Sequence, residues 1–277
     1  MQSAETVMDI LRARGRRGLP CERLYRQLFN TELYLMAWGR IYANDGAMTP
    51  GINGETADGM SLAKIGRIID ALRHERYRFQ PVKRVYIPKK NGKKRPLGLP
   101  SWSGKLVGEV VRILLEAYYE PRFSGRSHGF RPGRGCHTAL TEVANTWKGT
   151  TWFIESDISD CFGSLDHEVM LSILAGHIHD NRFLRLIKGM LRAGYLEDWV
   201  WNATLSGAPQ GGVVTPPTQQ RTFAHVTLRV GGVVVAAAAG WFPDGDAVAD
   251  GDFLGADEDV LDDGAQDALA VLDGSGG

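Results

Sequence analysis

Apolar residues in "CERLYRQLFNTELYLMAWGRIY" (residues 21–42) recur at near-helical spacing, as Leu24, Leu28, Leu33 and Met36. That period predicts one amphipathic helix ending before the loop "ANDGAMTPGINGE". Ser61 stands where a helix N-cap belongs, and Leu62, Ile65, Ile69 and Leu72 form the stripe of the helix it opens. From residue 82 to 100 the period changes. Val85 and Ile87 alternate with polar or amphipathic residues, and Asn91-Gly92 is a two-residue turn signal, so "VKRVYIPKKNGKKRPLGLP" reads as a β-hairpin. Helices are predicted at about 103–119, 138–147, 167–175 and 181–193, with a strand in "TWFIESD". "GYLEDWVWNATLSGAPQGG" reads as strand, turn and glycine-rich loop. After Val214 no helical or strand period is sustained, and no internal repeat is evident.

The 277 residues, 43% of them hydrophobic, suffice for one large domain or two smaller ones with a sizeable core. The formal net charge is zero, but it is unevenly spread. Residues 1–212 hold 30 basic and 21 acidic residues, a net of +9. Residues 213–277 hold Arg221 and Arg229 against eleven acids, a net of −9. Such asymmetry fits a polyanion-binding body or a foreign acidic tail, and equally an ordinary solvated basic face. Cys21, Cys136 and Cys161 form no CxxC pair, which speaks against a zinc ribbon or a disulfide framework and fits a reduced cytoplasmic setting. No signal-peptide pattern and no run of 18 apolar residues appears, so no membrane association is expected; "VGGVVVAAAAGWF" is too short and too glycine-rich.

Four segments carry candidate chemistry. Asp157 follows the apolar run "WFI" by two residues, where a carboxylate suits magnesium but also caps a turn after a strand. Lys89, Lys90, Lys93, Lys94 and Arg95 crowd the hairpin tip. They read equally as a phosphate-attracting field or as a solvated edge whose lysines block aggregation. Arg126, Arg131 and Arg134 lie among Gly125, Gly129, Gly133 and Gly135, a composition that lets backbone approach a polyanion while guanidinium groups grip it. A mobile surface loop is the plain alternative. "GAPQGG" places Gln210 on a tight turn, where its amide can donate to and accept from a base edge. His128 and His137 read as packing or backbone hydrogen-bonding residues rather than metal ligands, and the same plain reading holds for His177 and His179.

In this order, "IPKKNGKKRPLGLP", "SHGFRPGRGCHTAL", "FIESDISDCFGSLDH" and "LRAGYLED…GAPQGGVV" resemble the N-terminal part of group II intron reverse transcriptase/maturases, from about residue 49 to 214. The resemblance implies an α+β, right-hand polymerase architecture. Residues 1–48 would form an N-terminal helical extension, 49–145 the fingers, 146–214 a partial palm, and 215–277 an aberrant, disordered acidic tail. It also implies RNA-directed DNA synthesis with Mg2+, on an RNA template and DNA primer with deoxynucleoside triphosphates, and binding of intron RNA for splicing. Carried over by position, Asp157 looks like the first metal ligand and Ile158 offers its carbonyl. Phe162 looks like the aromatic gate against a ribose 2′-hydroxyl. Lys89 and Arg95 look like the triphosphate clamp, and Gln210 matches the glutamine near the nascent base pair. Lys90, Lys93, Lys94, Arg126, Arg131 and Arg134 are the RNA-binding candidates.

The chain departs from this family in two places. "GING" (residues 51–54) puts Asn53 where family members carry an acid. After Val214, "TPPTQQRTFAHV" replaces the family's "SPLLANI"-like helix, and no "YADD" follows. A shifted reading frame is the expected cause, leaving a chain with impaired catalysis. Asp250 and Asp252, or Asp262 and Asp263, are only loose echoes of the missing aspartates. The rival readings are a non-catalytic RNA-binding fragment, a non-functional remnant of a mobile element and, more weakly, a retron-type or diversity-generating reverse transcriptase.

Overall fold

The computed structural model describes residues 2–43, 46–88, 94–150, 155–156, 166–204, 229–230, 233–234 and 236–237. All of them fall in one compact unit, Met1–Ala239; a second unit, Gly240–Gly277, lies outside the described residues, and of the tail expected to be disordered, 215–277, the described residues 229–230, 233–234 and 236–237 form short strands.

The first helix, α1 (Ala4–Arg16), begins where Ser3 Oγ accepts from the Thr6 amide at 3.2 Å. The single helix expected over residues 21–42 is two, α2 (Leu24–Gln27) and α3 (Thr31–Tyr42). Asn30 breaks it, because its side-chain oxygen accepts from the Glu32 amide at 3.1 Å and caps a new helix. Ser61 caps α4 (Leu62–Arg73) as expected, accepting from the Lys64 amide at 3.2 Å. The buried stripe of α4 is Ile65, Ile68, Ile69 and Leu72; Leu62, at the exposed first position, is left out of it.

The long helix α5 (Trp102–Tyr119) is buried on nearly every side and is the axis of the core. Both α1 and α3 pack against it. Gly15 makes the α1 contact possible: a methyl group there would stand 2.0 Å from the Tyr118 carbonyl oxygen. Even a charge is enclosed. Glu109 is 1% exposed, held by Arg112 at 2.6 and 2.8 Å and by Arg40 at 3.7 Å. After α5 come a 3-10 turn (Glu120–Arg122), α6 (Cys136–Thr146) and the short strand Glu155–Ser156. The helices α7 (His167–Ala175) and α8 (Asn181–Leu191) follow, capped by Asp166 and Asp180.

One hydrophobic core runs from Ala4 to Leu191, so the N-terminal helices share it with α5, α7 and α8. Backbone ties reinforce this. The Cys21 amide donates to His177 O at 2.8 Å, the His179 amide donates to Cys21 O at 2.7 Å, and Asp180 accepts from the Tyr25 amide at 2.9 Å.

The main sheet has four strands. With Glu155–Ser156 as β3, these are β1 (Val82–Pro88), β2 (Lys94–Leu99), β4 (Tyr195–Glu197) and β5 (Val200–Asn202), in the order β2-β1-β4-β5. β1 runs antiparallel to β2 and parallel to β4. Short pairs join β3 to β8 (Ala236–Ala237), and β6 (Arg229–Val230) to β7 (Val233–Val234). The mixed helix-and-sheet architecture is the α+β one expected. The hairpin register differs from the expected one. Pro88 faces Lys94 and Ile87 faces Arg95, a pairing centred on residue 91. A two-residue Asn91-Gly92 turn would instead pair Lys90 with Lys93. The strands are therefore one residue away from that register, and a one-residue shift exchanges the faces.

Candidate nucleic-acid interface

Pairing fixes which residues of the β1–β2 hairpin share a face. Ile87 shares a face with Lys83, Val85, Leu97 and Leu99, and its backbone partner is Arg95. Lys94, exposed at the start of β2, lies on the other face with Arg84 and Tyr86. That second face is a knit polar cluster. The Arg84 guanidinium stacks 3.5 Å from the Tyr195 ring centroid and approaches Glu197 at 3.9 Å. The Tyr86 hydroxyl donates to the Glu197 carboxylate, and that hydrogen bond raises the phenol's pKa. Lys89, Lys90 and Lys93 lie outside the described residues.

The glycine- and arginine-rich loop is internally braced. Arg131 is 9% exposed. Its Nε and Nη2 donate to the Glu120 carboxylate at 2.8–3.2 Å, and Nη1 donates to Ser124 O at 2.6 Å and Ser127 O at 2.8 Å. Arg134 donates to the carbonyls of Gly125 and Ser127, the latter at 3.4 Å. His128 ties the loop to α6 through Thr138 Oγ1 and Glu142 Oε2, both at 2.8 Å, so its partners are side chains and not the backbone groups expected. Arg126 is exposed at the rim. The three arginines thus divide: Arg131 and Arg134 shape the loop, and Arg126 faces solvent. Sequence composition could not separate them, because the partners that hold Arg131 are Glu120 and backbone carbonyls brought close only by the fold.

The "GING" loop acquires a role that sequence reading missed. It docks on the start of α5, where Trp102 Nε1 donates to Ala47 O at 2.6 Å. Glu55 accepts from the Ser103 amide at 3.0 Å and hydroxyl at 2.9 Å, and pairs with Lys64 at 2.6 Å. A carboxylate at a helix N-terminus is favoured by the helix dipole. Asn53 accepts from the Glu55 amide at 3.3 Å through its side-chain oxygen, which an acid would supply equally; this explains how the departure from the family is accommodated. Burial pushes the Glu55 pKa up, but Lys64, Ser103 and Asn53 outweigh it and hold it down at about 2. A depressed folded-state value stabilises the protein above the ordinary carboxylate range. We therefore expect stability, about 1 kcal/mol once solvent screening of this partly exposed carboxylate is allowed for, to be lost as the pH falls from about 5 towards 2. Chemical denaturation of wild type and Glu55→Gln across that window checks this: the two curves should converge at low pH.

Asp157, Ile158, Phe162 and Gln210 lie outside the described residues; β3 ends one residue before Asp157. Among the described residues no group of three or more His, Cys, Asp or Glu is placed to hold a metal, and no helix is long and apolar enough to cross a membrane.

The family described as "Reverse transcriptase (RNA-dependent DNA polymerase)" matches residues 87–232. The chain belongs to the reverse transcriptase family. The reverse transcriptase match opens at the end of β1, takes in β2, the arginine loop and Asp157, and ends past Val214. The group II intron-encoded protein LtrA of Lactococcus lactis subsp. cremoris is 48% identical over 195 residues, 70% of this chain and 33% of its own. An uncharacterized 91 kDa protein in the cob intron of Schizosaccharomyces pombe is 45% identical over 194 residues, 70% of this chain and 24% of its own. The chain thus spans a third or less of the length of these two relatives. A chain of a partial Cas6-RT-Cas1–Cas2 complex aligns over 74% of this chain and 34% of its own, at 18% identity and a TM-score of 0.48. Reverse transcriptases work with a divalent metal ion.

Proposed function

We propose that this chain carries the RNA-binding fingers and the first metal-holding carboxylate of a group II intron-encoded RNA-directed DNA polymerase and maturase, and that in this form its catalysis is impaired. The observation that carries the reading is 48% identity over 195 residues to a group II intron-encoded protein, within a reverse transcriptase match that includes Asp157.

The residues take these roles. Lys89 and Arg95 hold the triphosphate of an incoming deoxynucleotide, Phe162 excludes a 2′-hydroxyl, and Gln210 lies beside the nascent base pair. Lys90, Lys93, Lys94 and Arg126 meet RNA phosphates, on a surface that Arg131 and Arg134 shape from behind. Asp157 and the Ile158 carbonyl are hard oxygen donors, the class that magnesium prefers. Two donors are fewer than a protein site normally supplies, so the fit is partial. Bound magnesium would neutralise charge on the phosphates. The partners are intron RNA, an RNA template and a DNA primer, in the cytoplasm.

Binding of an intron RNA, followed by fluorescence anisotropy across a salt series, tests the reading. We expect affinity to fall steeply with salt. Substituting Lys90 and Lys94 together with Gln should lower the slope of log K against log salt by about 1.5, since each released counterion contributes about 0.7–0.9. Salt-independent binding, or no loss in the double variant, overturns it.

A further inference from the structure

The β4–β5 hairpin turns through Asp198 and Trp199, both left-handed, with φ of 48° and 65°. Glu197 pairs with Val200, so the loop has two residues, the kind in which Asn-Gly or Asp-Gly is favoured. A tryptophan in the glycine position costs backbone strain. It recovers nothing by burial, because Trp199 is 93% exposed. Beside it Trp201 is 55% exposed, and its Nε1 donates to Ala193 O at 3.3 Å, two residues after the end of α8.

Trp201 thus ties the hairpin to the segment that follows α8, and the solvent face of that helix is cationic. Arg182, Arg185, Lys188 and Arg192 recur every three or four residues, opposite the buried Phe183, Leu186, Ile187 and Leu191. Glu75 sits between Arg182 and Arg185 at 2.8 and 2.9 Å, and Glu168 between Lys188 and Arg192 at 2.8 and 2.9 Å. Four cations against two carboxylates leave a positive surplus on side chains already held in place. At the hairpin tip Asp198 is exposed, which disfavours phosphate there and leaves the indole face as the recognition element.

From this we infer that α8 and the β4–β5 hairpin form a binding surface for single-stranded RNA, with the α8 cations on the phosphates and Trp199 stacked on an unpaired base. A cation row followed by an exposed ring is the chemistry that reads single strands, because a base within a duplex offers no free face. The inference rests on the RNA-binding reading above and assigns it a surface apart from the finger hairpin and the arginine loop.

The test uses the full chain with a labelled, unstructured 20-nucleotide RNA and the matching RNA duplex as probes. Trp199→Gly should weaken single-strand binding about tenfold and leave duplex binding unchanged. The same variant should raise the melting temperature by about 2–4 °C, because glycine relieves the left-handed backbone. A merely structural tryptophan would not give opposite signs. Replacing Arg185, Lys188 and Arg192 together with Gln should lower the salt slope by about 2. Wild-type single-strand affinity in Trp199→Gly overturns the inference, as does an equal loss on the duplex. A change in sedimentation without a change in RNA affinity also overturns it, by showing that the indole meets a second copy of the chain. If Lys90 and Lys94 still govern RNA binding while these variants do nothing, the inference fails and the functional reading stands. If the wild-type chain binds no RNA, both fail.

Discussion

Primer extension by this chain on an RNA template, with magnesium and deoxynucleotides, is expected to stay near the no-enzyme level, and Asp157→Ala is expected to change it little. Phosphoryl transfer draws its rate from positioning and from charge placed against the phosphates. The sequence supplies Asp157 and the Ile158 carbonyl but contains no Tyr-Ala-Asp-Asp tract to complete the set. Loss of one such stabilising group lowers rates by on the order of 10²–10³-fold. Gel-resolved extension in parallel for wild type and Asp157→Ala measures it. Robust extension that Asp157→Ala abolishes would show that other carboxylates complete the site. Paired Asn substitutions at Asp250 and Asp252, and at Asp262 and Asp263, would then locate them. A complementary observation lies in the coding DNA: a family-like aspartate tract in another frame beyond the codon for Val214 is the expected finding, and its absence would refute the frame-shift explanation.

Gly15→Ala should produce the largest stability loss of any single-methyl addition in α1. The new carbon would stand 2.0 Å from the Tyr118 carbonyl oxygen and 3.1 Å from its carbon, both backbone atoms of the central helix. Neither can rotate away, so α1 must move off α5. Overpacking generally costs about 1–3 kcal/mol, and a backbone-on-backbone clash belongs at or above the upper end. Gly39→Ala in α3 is the control, because nothing lies within 4 Å of the added methyl. That change should stabilise by about 0.5–1 kcal/mol, through helix propensity. Urea denaturation of both variants decides the matter: a Gly15→Ala protein as stable as wild type would mean that the helices do not meet so closely.

Comparing the particular elements shows where sequence reading succeeds. Ser61 was legible as a cap because capping is a contact across three residues, and the α7 and α8 segments were legible from their period. The break at Asn30 was also written locally, in an Asn that competes with the helix for backbone donors, but the apolar period masked it. The hairpin was recognisable and its register was not. Asn91-Gly92 favours one parity, while the strands pair in the other, with β1 also committed to β4. The proposed catalytic residues came from the order of four motifs, and the family match is consistent with that order.

The sequence by itself determined the family, the identity of most helices and the basic character of the fingers. Each depends on spacing or composition within short stretches of chain. Only the tertiary structure decided which cations are available to a ligand. Arg131 is consumed by Glu120 and two carbonyls, and Arg84 by Tyr195 and Glu197, more than a hundred residues away in sequence. The same holds for the strained, exposed Trp199 and for Gly15 against Tyr118. A guanidinium or an indole carries the same chemistry wherever it stands; its partners are set by segments that meet only when the chain has folded.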